Sequence, residues 1–147
     1  MELRRPSLAK TLGVKPDQNF ADVLTGKAQF ANQALRYGGN LAFALNASAT
    51  RNPVELLQGG GVGDQLAAIE AAYAPDLIIF DMPPMLINDD MMAFAGKVDC
   101  VLLIAAAKKT SIKEIDTCER ELSTQTNMMG VILNKCRYMG EDYGYGY

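Results

Sequence analysis

The chain has 147 residues, of which 49% are hydrophobic and 21% charged, and this composition is typical of one soluble globular domain with a real core. The formal net charge is −3 and the densest basic patch is Lys108, Lys109 and Lys113, which argues against nucleic acid as a partner. Because the chain has no histidine, nucleophiles activated by histidine and metal sites built on imidazole are excluded.

The number and spacing of the cysteines indicate the redox state of the cellular compartment. Cys100, Cys118 and Cys136 are widely spaced and form no C-x-x-C pair. Cys100 opens an apolar run and Cys118 lies in a helical pattern, so we predict buried thiols at these two positions. No stretch is long and apolar enough to cross a membrane, and no signal peptide opens the sequence. We therefore expect a cytoplasmic protein in a reducing compartment.

Strand-like and helix-like segments alternate along the chain. The apolar runs predict strands at residues 41–45, 77–80, 101–105 and 131–133. Helical spacing of apolar residues predicts helices at residues 64–73 and 111 to about 126, the second opened by a capping box of Ser111 and Glu114. This alternation predicts an α/β fold with a mostly parallel sheet and helices on both faces.

A short segment between the first two strands carries further local signals. Asn52 as cap, Pro53 at the first helical position and Glu55 at the third predict a short helix. The glycine-rich residues 58–65, QGGGVGDQ, predict a flexible break after it. No Lys-Ser or Lys-Thr pair follows these glycines, so we interpret them as a linker and not as a phosphate-binding loop.

The predicted strand 77–80 ends on one acid, Asp81, followed by Pro83 and Pro84. Ligands of open parallel sheets bind beyond the carboxyl ends of the strands, and the prolines force the chain off the sheet there. Four apolar residues and an aspartate form the Walker B pattern, in which the carboxylate holds Mg²⁺. The alternative is an aspartate that caps a loop. Asp90 follows in the same loop, and we predict that it caps the next helix, with ordering of the site as its alternative role.

Several segments together resemble one family. ELRRPSL, NPVELL, IIFDMPP, GVILN and a tyrosine-rich tail occur in this order in the bacterial tyrosine kinases of capsule and exopolysaccharide synthesis. The resemblance spans almost the whole chain and implies a P-loop NTPase-like fold, ATP and Mg²⁺ as cofactors, and protein-tyrosine autophosphorylation. LRRPSL and Asp-x-Pro-Pro are shared with the wider deviant-Walker ATPases, which act as positional switches. A non-catalytic adaptor remnant is a third alternative.

The resemblance assigns roles residue by residue. Asp81 matches the Walker B aspartate, with a catalytic and metal-binding role. Glu2 stands where the family has the second aspartate of Walker A′, Asp-x-Asp before Leu-Arg-Arg-Pro, and so receives the same two roles. Asn134 matches a position near the adenine of ATP, and a strand-end cap is its alternative.

The family's phosphate-binding loop is the principal departure. No G-x-x-x-x-G-K-[ST] occurs in these residues, whereas the family carries it upstream of LRRP. We therefore predict that residues 1–137 are the C-terminal portion of a kinase domain, truncated at the N-terminus and missing at least two strands.

Residues 138–147 are predicted to be a disordered tail, because glycine and tyrosine alternate there without a buriable face. The resemblance makes Tyr138, Tyr143, Tyr145 and Tyr147 phosphoacceptors for a neighbouring subunit of a homo-oligomeric ring. An adhesive low-complexity tail is the alternative. The resemblance also implies a membrane-anchored polysaccharide chain-length or activator protein as partner, fused or separate, and a cytoplasmic location at the inner face of the plasma membrane.

Overall fold

The computed structural model describes residues 1–136, which fall into two compact units, the first formed by residues 1–94 and the second beginning at residue 95. Within the described part of the chain, no helix combines the length and the apolar character needed to span a membrane.

The first unit consists mainly of short helices. Its elements are α1 (Leu8–Thr11), α2 (Phe20–Leu24), α3 (Phe30–Gln33), β1 (Leu35–Tyr37), β2 (Leu41–Phe43), α4 (Pro53–Gln58), α5 (Gly61–Tyr73), a 3₁₀ helix (Met85–Ile87) and α6 (Asp90–Ala95), which ends one residue beyond the unit. Its core is formed by large apolar side chains that are buried: Leu3, Phe20, Val23, Leu24, Leu45, Leu57, Val62, Leu66, Ile69, Met91 and Phe94.

The helices α4 and α5 confirm two of the sequence predictions. Pro53 opens α4, although the amide of Asn52 donates to the Glu55 carboxylate at 3.0 Å and caps no backbone group. The flexible break predicted for residues 58–65 is wrong, since α5 already begins at Gly61. Burial of Val62 and the apolar side chains after it offsets the poor helix propensity of the glycines.

Residues 41–45 do not join a parallel sheet. Strand β2 pairs antiparallel with β1 in a hairpin, with Leu35 opposite Phe43 and Tyr37 opposite Leu41. The turn between them contains Gly38, whose φ of +64° lies in the left-handed region that glycine adopts without strain. The prediction of a parallel strand was wrong here because the hairpin turn went unrecognised.

Residues 77–80 form no strand, which contradicts the prediction of a strand buried on both faces. None of the strands in the described residues pairs with this run, and a strand is defined by its inter-strand hydrogen bonds. Leu77 and Ile79 are 74% and 80% exposed. The end of this run is fixed by packing, since the Phe80 ring lies against the Phe94 ring with the ring centroids 4.9 Å apart.

The second unit contains a parallel strand pair and its crossover helix. Strands β3 (Cys100–Ala106) and β4 (Asn127–Asn134) pair in parallel, and α7 (Ile112–Leu122) connects them. This confirms both predicted strands and the predicted helix. Cys118 is buried, and this burial raises the pKa of its thiol. The prediction of a buried thiol at Cys100 is wrong, because one face of β3 is open and this side chain is exposed.

The capping box of α7 is confirmed. The Ser111 hydroxyl accepts from the Glu114 backbone N–H at 3.2 Å, and the Ser111 backbone N–H donates to the Glu114 carboxylate at 2.7 Å. The hydrogen bonds from the backbone and the hydroxyl of Ser111 hold the pKa of Glu114 below its ordinary value of 4.5. The carboxylate therefore stabilises the helix above pH 4.5, and this contribution is lost as the pH falls through the lowered pKa.

Ser111→Ala should lower the free energy of unfolding by about 1 kcal/mol at neutral pH, since one N-terminal N–H loses its acceptor. The difference from the unmodified chain should shrink in acid, where Glu114 is protonated. Urea unfolding followed by circular dichroism measures both quantities. Ser123→Ala, at the other end of α7, is the matched control and should cost less than about 0.5 kcal/mol. Equal losses for the two variants would contradict a specific role of the cap.

Candidate functional site

The segment that carries Glu2 is anchored by two hydrogen bonds to its backbone carbonyls. The Asn46 amide donates to the Glu2 carbonyl at 3.4 Å, and the Thr50 N–H donates to the Leu3 carbonyl at 2.7 Å. Leu3 is completely buried. The Glu2 carboxylate is half-buried and accepts from the Ser7 hydroxyl at 3.4 Å. Glu2 therefore projects from a backbone that the fold holds in place.

Asp81 lies directly after residues 77–80 and is exposed. The backbone of Asp81 is held in place by its neighbours on both sides. The Phe80 ring packs against Phe94 before it, and Pro83 is buried after it. The 3₁₀ helix follows at once, so the prolines end the extended run as the sequence predicted. The carboxylate consequently remains open to a ligand.

Glu2 and Asp81 act on a common neighbour, the α-ammonium group of Met1. Burial lowers the pKa of this group to about 6, while the negative charges of Asp81 and Glu2 act in the opposite direction. Glu2 and Asp81 therefore each lie close enough to Met1 to interact with its charge, and their joint binding of a metal ion stays a prediction.

Two carboxylates are a donor set that fits Mg²⁺. This ion usually binds one or two carboxylates and completes its octahedron with water and substrate phosphates. Within residues 1–136, no cluster of three or more acidic or cysteine side chains could hold a metal ion by itself. A metal at Glu2 and Asp81 would thus need further oxygen ligands from water or from a phosphate.

Asp90 does not cap α6 as predicted, because it is the first residue of this helix and its carboxylate is bound by an arginine. Both oxygens accept from Arg4, from Nε and from Nη2, each at 2.8 Å. Asp90 is only 1% exposed, and its backbone N–H is satisfied by the Asn88 side chain at 3.1 Å. The hydrogen bond to Asp90 raises the pKa of Arg4 further above its ordinary value.

Sequence reasoning missed Arg4. It is one of two consecutive arginines, and its partner lies 86 residues away, so no local pattern marks the contact.

Asn134 lies in the second unit, at the end of β4 and opposite Ala106, so it sits at the carboxyl edge of the parallel pair. Its side-chain oxygen accepts from the Lys135 backbone N–H at 2.7 Å. This contact is the kind expected of a strand-end cap, the alternative role of Asn134. The adenine-binding role of Asn134 stays a prediction.

The tail tyrosines, Tyr138, Tyr143, Tyr145 and Tyr147, lie outside the described residues, as does the predicted domain boundary at residue 137. Their role as phosphoacceptors stays a prediction.

The described residues do not fit the phosphates of a nucleotide. The glycines at positions 59–61 form the junction of α4 and α5, and the chain contains no G-x-x-x-x-G-K-[ST]. Without this loop the amide cradle and the lysine that bind phosphates are missing from these residues.

This chain is similar to known bacterial tyrosine kinases. The tyrosine-protein kinase wzc of Salmonella typhi is 29% identical over 98% of the chain. The solved kinase domain of VpsO superposes with a TM-score of 0.80 at 27% identity, over 92% of this chain and 68% of that one. The kinase domain of the Escherichia coli tyrosine kinase ETK superposes with a TM-score of 0.78 at 25% identity, over 99% of this chain and 58% of that one.

The resemblance to the bacterial tyrosine kinases is confirmed. The α/β, P-loop NTPase-like fold class is confirmed with it, since the structural neighbours are kinase domains of this type. No family model matches the chain. The chain spans only about a fifth of the length of the Salmonella kinase, where it covers 20%.

Proposed function

We propose that this chain is part of an ATP- and Mg²⁺-dependent protein-tyrosine autokinase that regulates exopolysaccharide or capsule synthesis and export. The observation that carries the proposal is similarity along nearly the whole chain to a named tyrosine kinase and to solved kinase domains. Transfer of a phosphoryl group from ATP to a protein tyrosine is the reaction class of those relatives by name.

The chain's own residues supply part of what such a reaction needs. Glu2 and Asp81 offer two negative oxygen ligands on a backbone anchored by Asn46, Thr50 and the Phe80–Phe94 contact. Mg²⁺ bound there would neutralise charge on the phosphates of the nucleotide. Asn134, at the carboxyl edge of β3 and β4, is the proposed adenine-side residue. The phosphate-binding loop would come from further sequence joined to these residues.

The proposed acceptors are Tyr138, Tyr143, Tyr145 and Tyr147, modified by a neighbouring subunit in a homo-oligomeric ring. The proposed partner is a membrane-anchored polysaccharide chain-length or activator protein, fused or separate. The protein would then work in the cytoplasm at the inner face of the plasma membrane.

Two other functions compete with this proposal. A deviant-Walker positional switch would bind ATP without phosphorylating tyrosine, and a non-catalytic adaptor would bind no nucleotide. The coding sequence before residue 1 separates the adaptor from the other two. An in-frame G-x-x-x-x-G-K-[ST] there supports an ATPase or kinase, and its absence supports the adaptor. Phosphotyrosine formed on incubation of the longer product with Mg-ATP then separates kinase from switch.

Residues 1–147 alone should bind Mg-ATP no tighter than about millimolar, because two carboxylates cannot replace a cradle of amides and a lysine around the phosphates. Isothermal titration calorimetry measures this affinity. A micromolar dissociation constant for these residues would contradict the account of the site.

A further inference from the structure

The Arg4–Asp90 ion pair joins the two segments on which the candidate metal site depends. Arg4 lies two residues after Glu2, and Asp90 lies nine residues after Asp81, in the loop that begins at that acid. The pair is two-pronged, with both hydrogen bonds at 2.8 Å, and this geometry fixes the direction as well as the distance between its partners.

We infer that Arg4 and Asp90 are positioning residues that hold the Glu2 segment against the Asp81 loop, so that both carboxylates can bind one divalent cation. This inference rests on the metal site of the proposed function. Asp90 is not itself a ligand in this arrangement, because it is 1% exposed and both of its oxygens are taken by the guanidinium group.

The surrounding contacts explain why the pair matters. Asn46 and Thr50 hold the backbone of Glu2 and Leu3 from one side, but neither contacts the loop from Asp81 to Asp90 through a described hydrogen bond. Arg4 supplies that link. Asp90 is 1% exposed whereas Arg4 is 42% exposed, so the buried carboxylate requires the guanidinium group, and this requirement keeps the Arg4 segment against the loop.

Loss of the Arg4 charge and loss of its ion pair with Asp90 should change cation affinity in opposite directions, which makes the inference testable. Removal of a positive charge beside a cation site should tighten cation binding by Coulomb attraction alone. If Arg4 positions the carboxylates, Arg4→Gln should instead weaken it, by about tenfold. Arg5→Gln removes the same charge from the neighbouring exposed residue and should tighten binding by no more than about twofold.

Mn²⁺ alone is the probe, because it shares the preference of Mg²⁺ for carboxylate oxygens and its free concentration is read directly by electron paramagnetic resonance. The full 147-residue chain is titrated, and Glu2→Gln and Asp81→Asn establish that the site is the one described. Arg4→Lys keeps the charge but loses the two-pronged geometry and should fall between the unmodified chain and Arg4→Gln. Asp90→Asn should weaken binding more than Asp89→Asn, which removes the same charge one residue earlier.

Hydrogen exchange of the Thr50 amide is the second readout, since this N–H donates to the Leu3 carbonyl. Its exchange should accelerate by at least about tenfold in Arg4→Gln and remain unchanged in Arg5→Gln. If Arg4→Gln does not fold, the comparison of Arg4→Lys with Arg5→Lys decides by the same two measurements.

The possible failures are distinct. Unchanged or tighter Mn²⁺ binding in Arg4→Gln, with binding lost in Glu2→Gln and Asp81→Asn, overturns the positioning role and leaves the metal site standing. Mn²⁺ affinity that is insensitive to Glu2→Gln and Asp81→Asn overturns the metal site, and the positioning role with it.

Discussion

Asp81→Asn should reduce tyrosine autophosphorylation by at least about a hundredfold in a protein that joins these residues to a phosphate-binding loop, because a metal ion at the phosphates contributes several kcal/mol. Asparagine has nearly the shape of aspartate but carries no charge, so the ligand is weakened while the packing is kept. Asp81 is exposed and makes no side-chain hydrogen bond within residues 1–136, and Phe80 anchors the chain before it. Phosphotyrosine detection after incubation with Mg-ATP measures the loss.

Asp76→Asn is the matched control, since it removes the same charge from another exposed residue five positions earlier. It should leave autophosphorylation unchanged. Thermal unfolding of both variants should coincide with that of the unmodified protein. Full activity in Asp81→Asn would remove Asp81 from the site, whereas a common loss in both variants would indicate a general charge effect.

Elements whose determinants lie within a few residues were predictable from the sequence. The capping box of Ser111 and Glu114 marked the start of α7, and the apolar runs at 101–105 and 131–133 marked β3 and β4. Residues 77–80 carry an equally apolar run but form no strand. The two cases differ in whether a neighbouring strand is present. Strands β3 and β4 pair with each other, whereas no described strand pairs with residues 77–80.

A local signal was present but unused at the hairpin. Gly38 and Gly39 between two short segments that contain leucine and aromatic residues are a common turn composition, and Gly38 has the positive φ that such turns require. That signal predicts antiparallel pairing of β1 and β2, against the parallel arrangement inferred from alternation with helices.

The site divides in the same way. Asp81 was proposed from local sequence, as the acid after an apolar run, and Glu2 from family resemblance; both roles stay predictions. The contact of Arg4 with Asp90 was not predicted, because it joins residues that are 86 positions apart. It depends on the tertiary packing of the first unit, in which Leu3 and Phe94 are buried. Periodicity reports burial within an element and contains no information about such a pairing.

Phosphorylation of the tail should convert an associated protein into a largely monomeric one. If the tail of one subunit enters the site of the next, the contact is heterologous and can close into a ring. Each phosphate adds about −1.5 to −2 charges at neutral pH, so four add about −6 to −8 to a chain whose net charge is −3. The modified tail also brings a second phosphate to a pocket that already holds the nucleotide. Both effects favour release, and added salt should weaken the repulsive part.

Replacement of Tyr138, Tyr143, Tyr145 and Tyr147 together by Phe should therefore keep the longer protein associated even with Mg-ATP present, because no tail charge can form. The two tyrosines outside the tail, Tyr37 and Tyr73, are 72% and 51% exposed and provide the matched control. Their replacement by Phe should leave the switch intact, since accessibility alone does not bring a hydroxyl to the neighbouring site. Light scattering before and after phosphorylation measures the mass. Equal masses in the two states of the unmodified protein would rule out the switch, and a monomeric tail variant would show that the tyrosines themselves hold the subunits together.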